Sequence, residues 1–229
     1  MPTAPTTAAS RASSATRAVE TGGGAPPRHF SMIRGFHLAD LFTLANAACG
    51  VGVVLVAMAY LAAPAPRTLL VAAALAPLAF VFDVLDGRVA RWRQTSSALG
   101  RELDSLSDVI SFGVAPAALA FAAGLRGGWD AVALVYFVCC GVSRLARFNV
   151  TAESMSAESG KVRHFEGTPI PTSVALVGVL AWCAWADRLG TALPGGAWEL
   201  GGWTLHPLAL LFALSGTLMI SKTLRVPKP

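Results

Sequence analysis

Six apolar runs between Leu41 and Ile220 leave this chain few ways to fold. They are Leu41 to Leu61, Thr68 to Leu85, Val109 to Leu125 with a polar start near Leu99, Ala131 to Phe148, Pro171 to Ala186, and Pro207 to Ile220. A helix needs about 17 to 25 apolar residues to cross a bilayer, so the last two are short unless their flanks are recruited. At 54% hydrophobic and 14% charged, the 229 residues are too apolar for an ordinary soluble domain. The expectation is an all-α polytopic membrane protein, a bundle of six transmembrane helices over residues 41–221. Pro77 and Pro116 should kink the second and third helices, and the high Ala and Gly content suits close helix packing.

Basic residues set the expected orientation. Placing the amino-terminal region and the second, fourth and carboxy-terminal connections in the cytoplasm collects most of the 18 Lys and Arg there. These are Arg11, Arg17, Arg28 and Arg34; Arg88, Arg91, Arg93 and Arg101; Arg144, Arg147, Lys161 and Arg163; and Lys222, Arg225 and Lys228. Only Arg67, Arg126 and Arg188 stay outside, so both termini are expected inside. The net charge of +5 then reports orientation and not a nucleic-acid partner.

Residues 1–27, rich in Ala, Thr, Ser, Gly and Pro, read as a disordered tail. Residues 28–40 read as an interfacial amphipathic helix or a linker, with Phe30, Ile33 and Phe36 at steps of three, and 222–229 as a basic tail. Cys49, Cys139, Cys140 and Cys183 lie in apolar runs without metal-ligand spacing and read as small buried hydrophobes. His29, His37, His164 and His206 read as surface or interfacial residues, and the tryptophans, Trp198 and Trp203 among them, as interfacial anchors.

Against this background the stretch from Phe82 to Asp108 is exceptional, because it holds Asp83, Asp86, Asp104 and Asp108, four of the 13 acidic residues. On a helix, Asp83, Asp86, Gly87 and Ala90 share one face, as do Gly100, Asp104 and Asp108 on the next. Two helices joined by the polar segment Trp92 to Leu99 would point two carboxylates each into one cleft. Hard divalent cations such as Mg2+ or Mn2+ take such oxygen ligands and leave positions for water and phosphate. Two ions would balance four carboxylates, which are costly in a membrane unless they face a polar cavity. The basic-residue pattern puts all four at the cytoplasmic ends of the second and third helices.

The pattern D-x2-D-G-x2-A-R-x8-G-x3-D-x3-D, complete here, resembles the signature of the CDP-alcohol phosphotransferases, integral membrane enzymes of phospholipid synthesis. Four further segments resemble the phosphatidylserine synthase branch. They are Thr43-Leu-Ala-Asn46 with Cys49 and Gly50, Ser105 to Pro116, Arg144-Leu-Ala-Arg147-Phe-Asn149, and Phe165 to Pro171. The resemblance covers nearly all of Leu41 to Ser221. It implies transfer of a phosphatidyl group from CDP-diacylglycerol to L-serine with release of CMP, in a homodimer in a bacterial-type cell membrane. It implies that Asp83, Asp86 and Asp104 bind metal ions and that Asp108 is shared between the second metal and proton abstraction. Gly87, Ala90, Arg91 and Gly100 would contact the nucleotide.

Three positions keep two readings each. Asn46 is a nucleotide contact or structural glue between helices. Arg144 and Arg147, three apart, form an anion site for phosphate or the serine carboxylate, or serve only as positive-inside anchors. Ser111, one turn beyond Asp108, adds a hydroxyl to that acceptor site. Two rival functions remain at this level: a related transferase with inositol phosphate or glycerol phosphate as acceptor, and a cation transporter, for which intramembrane carboxylates are also expected.

Overall fold

A computed structural model describes residues 38–93, 98–157, 164–221 and 225–227. The tail 1–27 and nearly all of the segment 28–40 lie outside the described residues, as do 94–97 in the connection before the third apolar run.

Helix α1 runs Leu38–Ala62 and α2 Pro66–Arg93. Proline suits the first position of α2, where its missing N–H has no partner to lose. Helix α3 (Ala98–Asp108) passes without a break into a π-helical segment, Val109–Val114, and then into α4 (Ala115–Ala123). Helix α5 is Gly128–Ala157, and α6 (Val174–Trp185) follows a 3-10 turn at Ile170–Ser173. Helix α7 is Ala209–Ile220.

Among the described residues four stretches are long and apolar enough to cross a membrane: Leu38–Ala62, Arg67–Trp92, Leu99–Ala123 and Gly128–Thr151. Ile170–Trp185 and Ala209–Ile220 are apolar but shorter. The Leu99–Ala123 stretch is 61% buried within the protein against 28 to 33% for the other three, which makes it the central helix. Phe112, Leu119, Phe137, Ile170 and Phe212 fill the core around it. Phe137 meets Phe212 edge to face at 5.4 Å, a favoured aromatic geometry. Leu55, Met58, Val71 and Val135 point outward, as lipid-facing positions of a membrane helix do.

The proline expectations resolve differently at the two sites. Helix α2 continues through Pro77. Pro116 falls in the first turn of α4 directly after the π segment, whose wider turn pairs the Ala115 N–H with the Ile110 carbonyl. At Pro116 the helix therefore changes its hydrogen-bond register.

Among the described residues two short antiparallel pairs accompany the helices. Strand β1 (His164–Glu166) pairs with β4 (Arg225–Pro227), so part of the expected basic tail is a paired strand. Strands β2 (Trp198–Leu200) and β3 (Trp203–Leu205) form a hairpin closed by Gly201 and Gly202, both at positive φ. Its partner is the start of α5: Trp203 meets Trp129 edge to face at 5.5 Å, and the Trp129 indole donates to the Leu200 carbonyl at 3.0 Å.

Beside it, His206 corrects the surface expectation for the histidines. It is buried, with its backbone N–H 2.7 Å from Asp130 Oδ1 and its Nδ1 2.6 Å from Asp130 Oδ2. The Gly127 N–H also donates to Asp130, at 2.8 Å. Cys139 likewise departs from expectation and is exposed, while Cys140 and Cys183 are buried.

Candidate active site

Asp83 and Asp86 sit near the carboxy-terminal end of α2, and Asp104 and Asp108 on α3. A carboxylate oxygen from each of Asp83, Asp104 and Asp108 falls within 4.8 Å of the others, so the two helix faces meet as the spacing requires. One buried oxygen of Asp104 has no hydrogen-bond partner in the protein. Three clustered carboxylates, one of them carrying an otherwise unsatisfied oxygen, fit a divalent cation of the Mg2+ or Mn2+ class.

Asp86 stands beside this triad. It is buried, close enough to Asp83 and Asp104 for their charges to interact, and its Oδ2 accepts from Thr43 Oγ1 at 2.9 Å. Gly87, one residue on, faces open space: a Cβ there would meet nothing within 4 Å. Packing does not demand glycine at that point, which leaves room for a ligand beside the carboxylates. Ala90 and Gly100 are half-buried, and Arg91 is exposed with its Nε donating to the Gly87 carbonyl at 3.0 Å.

Asn46 is fully buried, and its Nδ2 donates to Asp108 Oδ1 at 3.3 Å while its own Oδ1 has no partner. Ser111, in the π segment, donates its hydroxyl to the Asn46 carbonyl at 2.8 Å and is buried against α1. Both side chains are thus engaged with the protein itself. Arg144 and Arg147 differ despite their spacing. Arg144 is half-buried, with an Nε that has no partner and a charge within reach of Asp108, whereas Arg147 is exposed.

Three contributors escaped the sequence reading. Thr43 holds Asp86; Ser107 donates to the Thr43 carbonyl at 2.9 Å; and Ser105 exchanges hydrogen bonds with Asn149 at 3.0 to 3.2 Å, tying α3 to α5 beside Asp104. All lie inside the segments that carried the resemblance, yet hydroxyls in an apolar helix give no sign of which neighbour they will meet.

A sequence profile for CDP-alcohol phosphatidyltransferases matches residues 36–215. The CDP-diacylglycerol–serine O-phosphatidyltransferase of Saccharomyces cerevisiae is 44% identical over 88% of this chain and 74% of that protein. Proteins of the same name from Mycobacterium leprae and Methanocaldococcus jannaschii are 44% and 42% identical, over 48% and 44% of this chain. Those alignments span 37% and 45% of the two relatives.

Proposed function

Because this chain belongs to the CDP-alcohol phosphatidyltransferase family, we propose that it is a CDP-diacylglycerol–serine O-phosphatidyltransferase of the membrane, making phosphatidylserine and CMP. The observation that carries the reaction is the triad of Asp83, Asp104 and Asp108 with its unsatisfied oxygen on Asp104. The names shared by its relatives support serine as the acceptor.

In this reading Asp83, Asp86, Asp104 and Asp108 hold two divalent ions, and Gly87, Ala90, Arg91 and Gly100 line the nucleotide. Ions held by these carboxylates would supply charge neutralisation for the pyrophosphate and for the CMP leaving group. Asp108 takes the hydroxyl proton of serine as that oxygen bonds to the phosphatidyl phosphorus. The pyrophosphate P–O bond breaks, and CMP leaves with the electron pair. Arg144, half-buried beside Asp108 with a free Nε, is the cation for the serine carboxylate. The reading includes six membrane helices, both termini and the site on the cytoplasmic side, and a homodimer.

The test is a panel of radiolabelled acceptors given to the purified protein with CDP-diacylglycerol and Mg2+ or Mn2+. Serine should yield phosphatidylserine with stoichiometric CMP, and excess chelator should abolish it. Product from inositol phosphate or glycerol phosphate and none from serine overturns the acceptor assignment; full turnover in chelator overturns the metal site.

A further inference from the structure

Helix α1 carries two polar side chains one turn apart, and each is coupled to the site in two ways. Thr43 Oγ1 donates to Asp86 at 2.9 Å and Asn46 Nδ2 to Asp108 at 3.3 Å. In return each of their backbone carbonyls accepts a serine hydroxyl from the central helix, Ser107 onto Thr43 and Ser111 onto Asn46. All four residues are buried. The helices can approach this closely because position 50 is glycine: a Cβ there would lie 2.5 Å from Ser111 Oγ.

Folding alone does not require the two donations to carboxylates. Thr43 Oγ1 also lies 3.2 Å from the Ala39 carbonyl of its own helix, which would satisfy it without Asp86. Asn46 leaves its Oδ1 buried and unpartnered, a cost to stability that an apolar side chain of the same size would not carry. What the two side chains do achieve is to fix the orientation of two site carboxylates.

We propose that Thr43 and Asn46 are positioning residues, outer partners that hold Asp86 and Asp108 in the orientation that cation binding and proton acceptance need. The proposal rests on the phosphatidyl-transfer reading for its kinetic consequence, but not for its effect on metal binding. It also moves Asn46 from contacting the nucleotide to aiming the base. Removing outer partners of metal ligands typically costs 10- to 100-fold in metal affinity or activity.

The experiment compares the full chain with Asn46→Leu, Thr43→Val and Thr43→Ser. Three quantities are read: Mn2+ affinity from the electron paramagnetic resonance of free Mn2+, serine-dependent CMP release, and the thermal midpoint. Asn46→Leu and Thr43→Val should weaken Mn2+ binding about tenfold or more. Asn46→Leu should also lower kcat at saturating Mn2+ about tenfold, with the serine KM within about threefold and an undiminished thermal midpoint. Thr43→Ser, which keeps the hydroxyl, should restore Mn2+ affinity to near the wild-type value. A lowered midpoint with Mn2+ affinity and kcat unchanged would make both residues packing groups and overturn the proposal. If the wild type releases no CMP with serine, the functional reading fails, while the Mn2+ titration still decides the positioning role.

Discussion

Asp86 and Asp108 are each held by a side chain of α1, Thr43 and Asn46, and Asp108 also has Arg144 within electrostatic range. As the proposed base, Asp108 should be separable from the residues that only bind. Asp108→Asn keeps an oxygen donor but cannot take a proton, so turnover should fall about 10²- to 10⁴-fold, with CMP binding retained in Mn2+. Asp83→Ala should instead abolish tight Mn2+ and CMP binding together. Equal turnover in Asp108→Asn and wild type would remove Asp108 from the chemistry. At this scale the sequence was most informative about the carboxylates, because steps of three and four along a helix determine which of them share a face. It was silent on Thr43 and Ser107, whose partners come from a different helix, 43 and 64 residues away. It could not separate Arg144 from Arg147 either, since spacing on one helix says nothing about which residue a neighbour covers.

Among the elements, the hairpin was the least legible, although its signal was present. Gly201-Gly202 between Trp198-Glu-Leu200 and Trp203-Thr-Leu205 is a two-residue turn of the type that needs positive φ at both central positions, and both glycines adopt it. The tryptophans on either side also suit a membrane interface, so composition alone does not separate an anchor from a hairpin. The hairpin is secured to α5 by Trp129 and, just beyond it, by the Asp130–His206 pair. Asp130→Ala would strand the buried His206 N–H, at about 1 to 3 kcal/mol for that group alone. The expected outcome is a clear drop in thermal midpoint with the serine KM and Mn2+ affinity unchanged, because this end of α5 lies far along the helix from Asn149 and the aspartates. A loss of Mn2+ binding at full stability would show that the two ends are coupled. The π segment could not have been foreseen from composition, since it arises where Pro116 and the contact with α1 impose a different register on one continuous helix.

For the whole molecule, the apolar pattern revealed the class and the four long spans, but left the two short helices and the orientation to other arguments. The distribution of Lys and Arg supplies a direct test of orientation. Single cysteines placed near Arg67, Gly127 or Gly195 in a Cys-free background should react with an impermeant reagent from outside, and those near Arg93 or Lys161 should not. The opposite pattern would put the aspartates on the wrong face for a cytosolic nucleotide. The brevity of α7 bears on the lipid as well. Its 12 residues reach about 18 Å, against a hydrocarbon core of about 30 Å. Near its carboxy-terminal end a Cβ on Gly216 would lie 3.4 Å from Cys140, and Gly141 faces Ile170 at the entry to α6, whereas α5 continues to Ala157. Arg144, one turn past Gly141, already senses Asp108, so the carboxylates sit at about this depth. In the proposed six-helix membrane reading, headgroups and water would follow the polar protein surface down to that level, thinning the leaflet beside α7 at a cost of fractions of a kcal/mol per Å. In that reading a lipid beside α7 would present its phosphate to the aspartates without leaving its own leaflet.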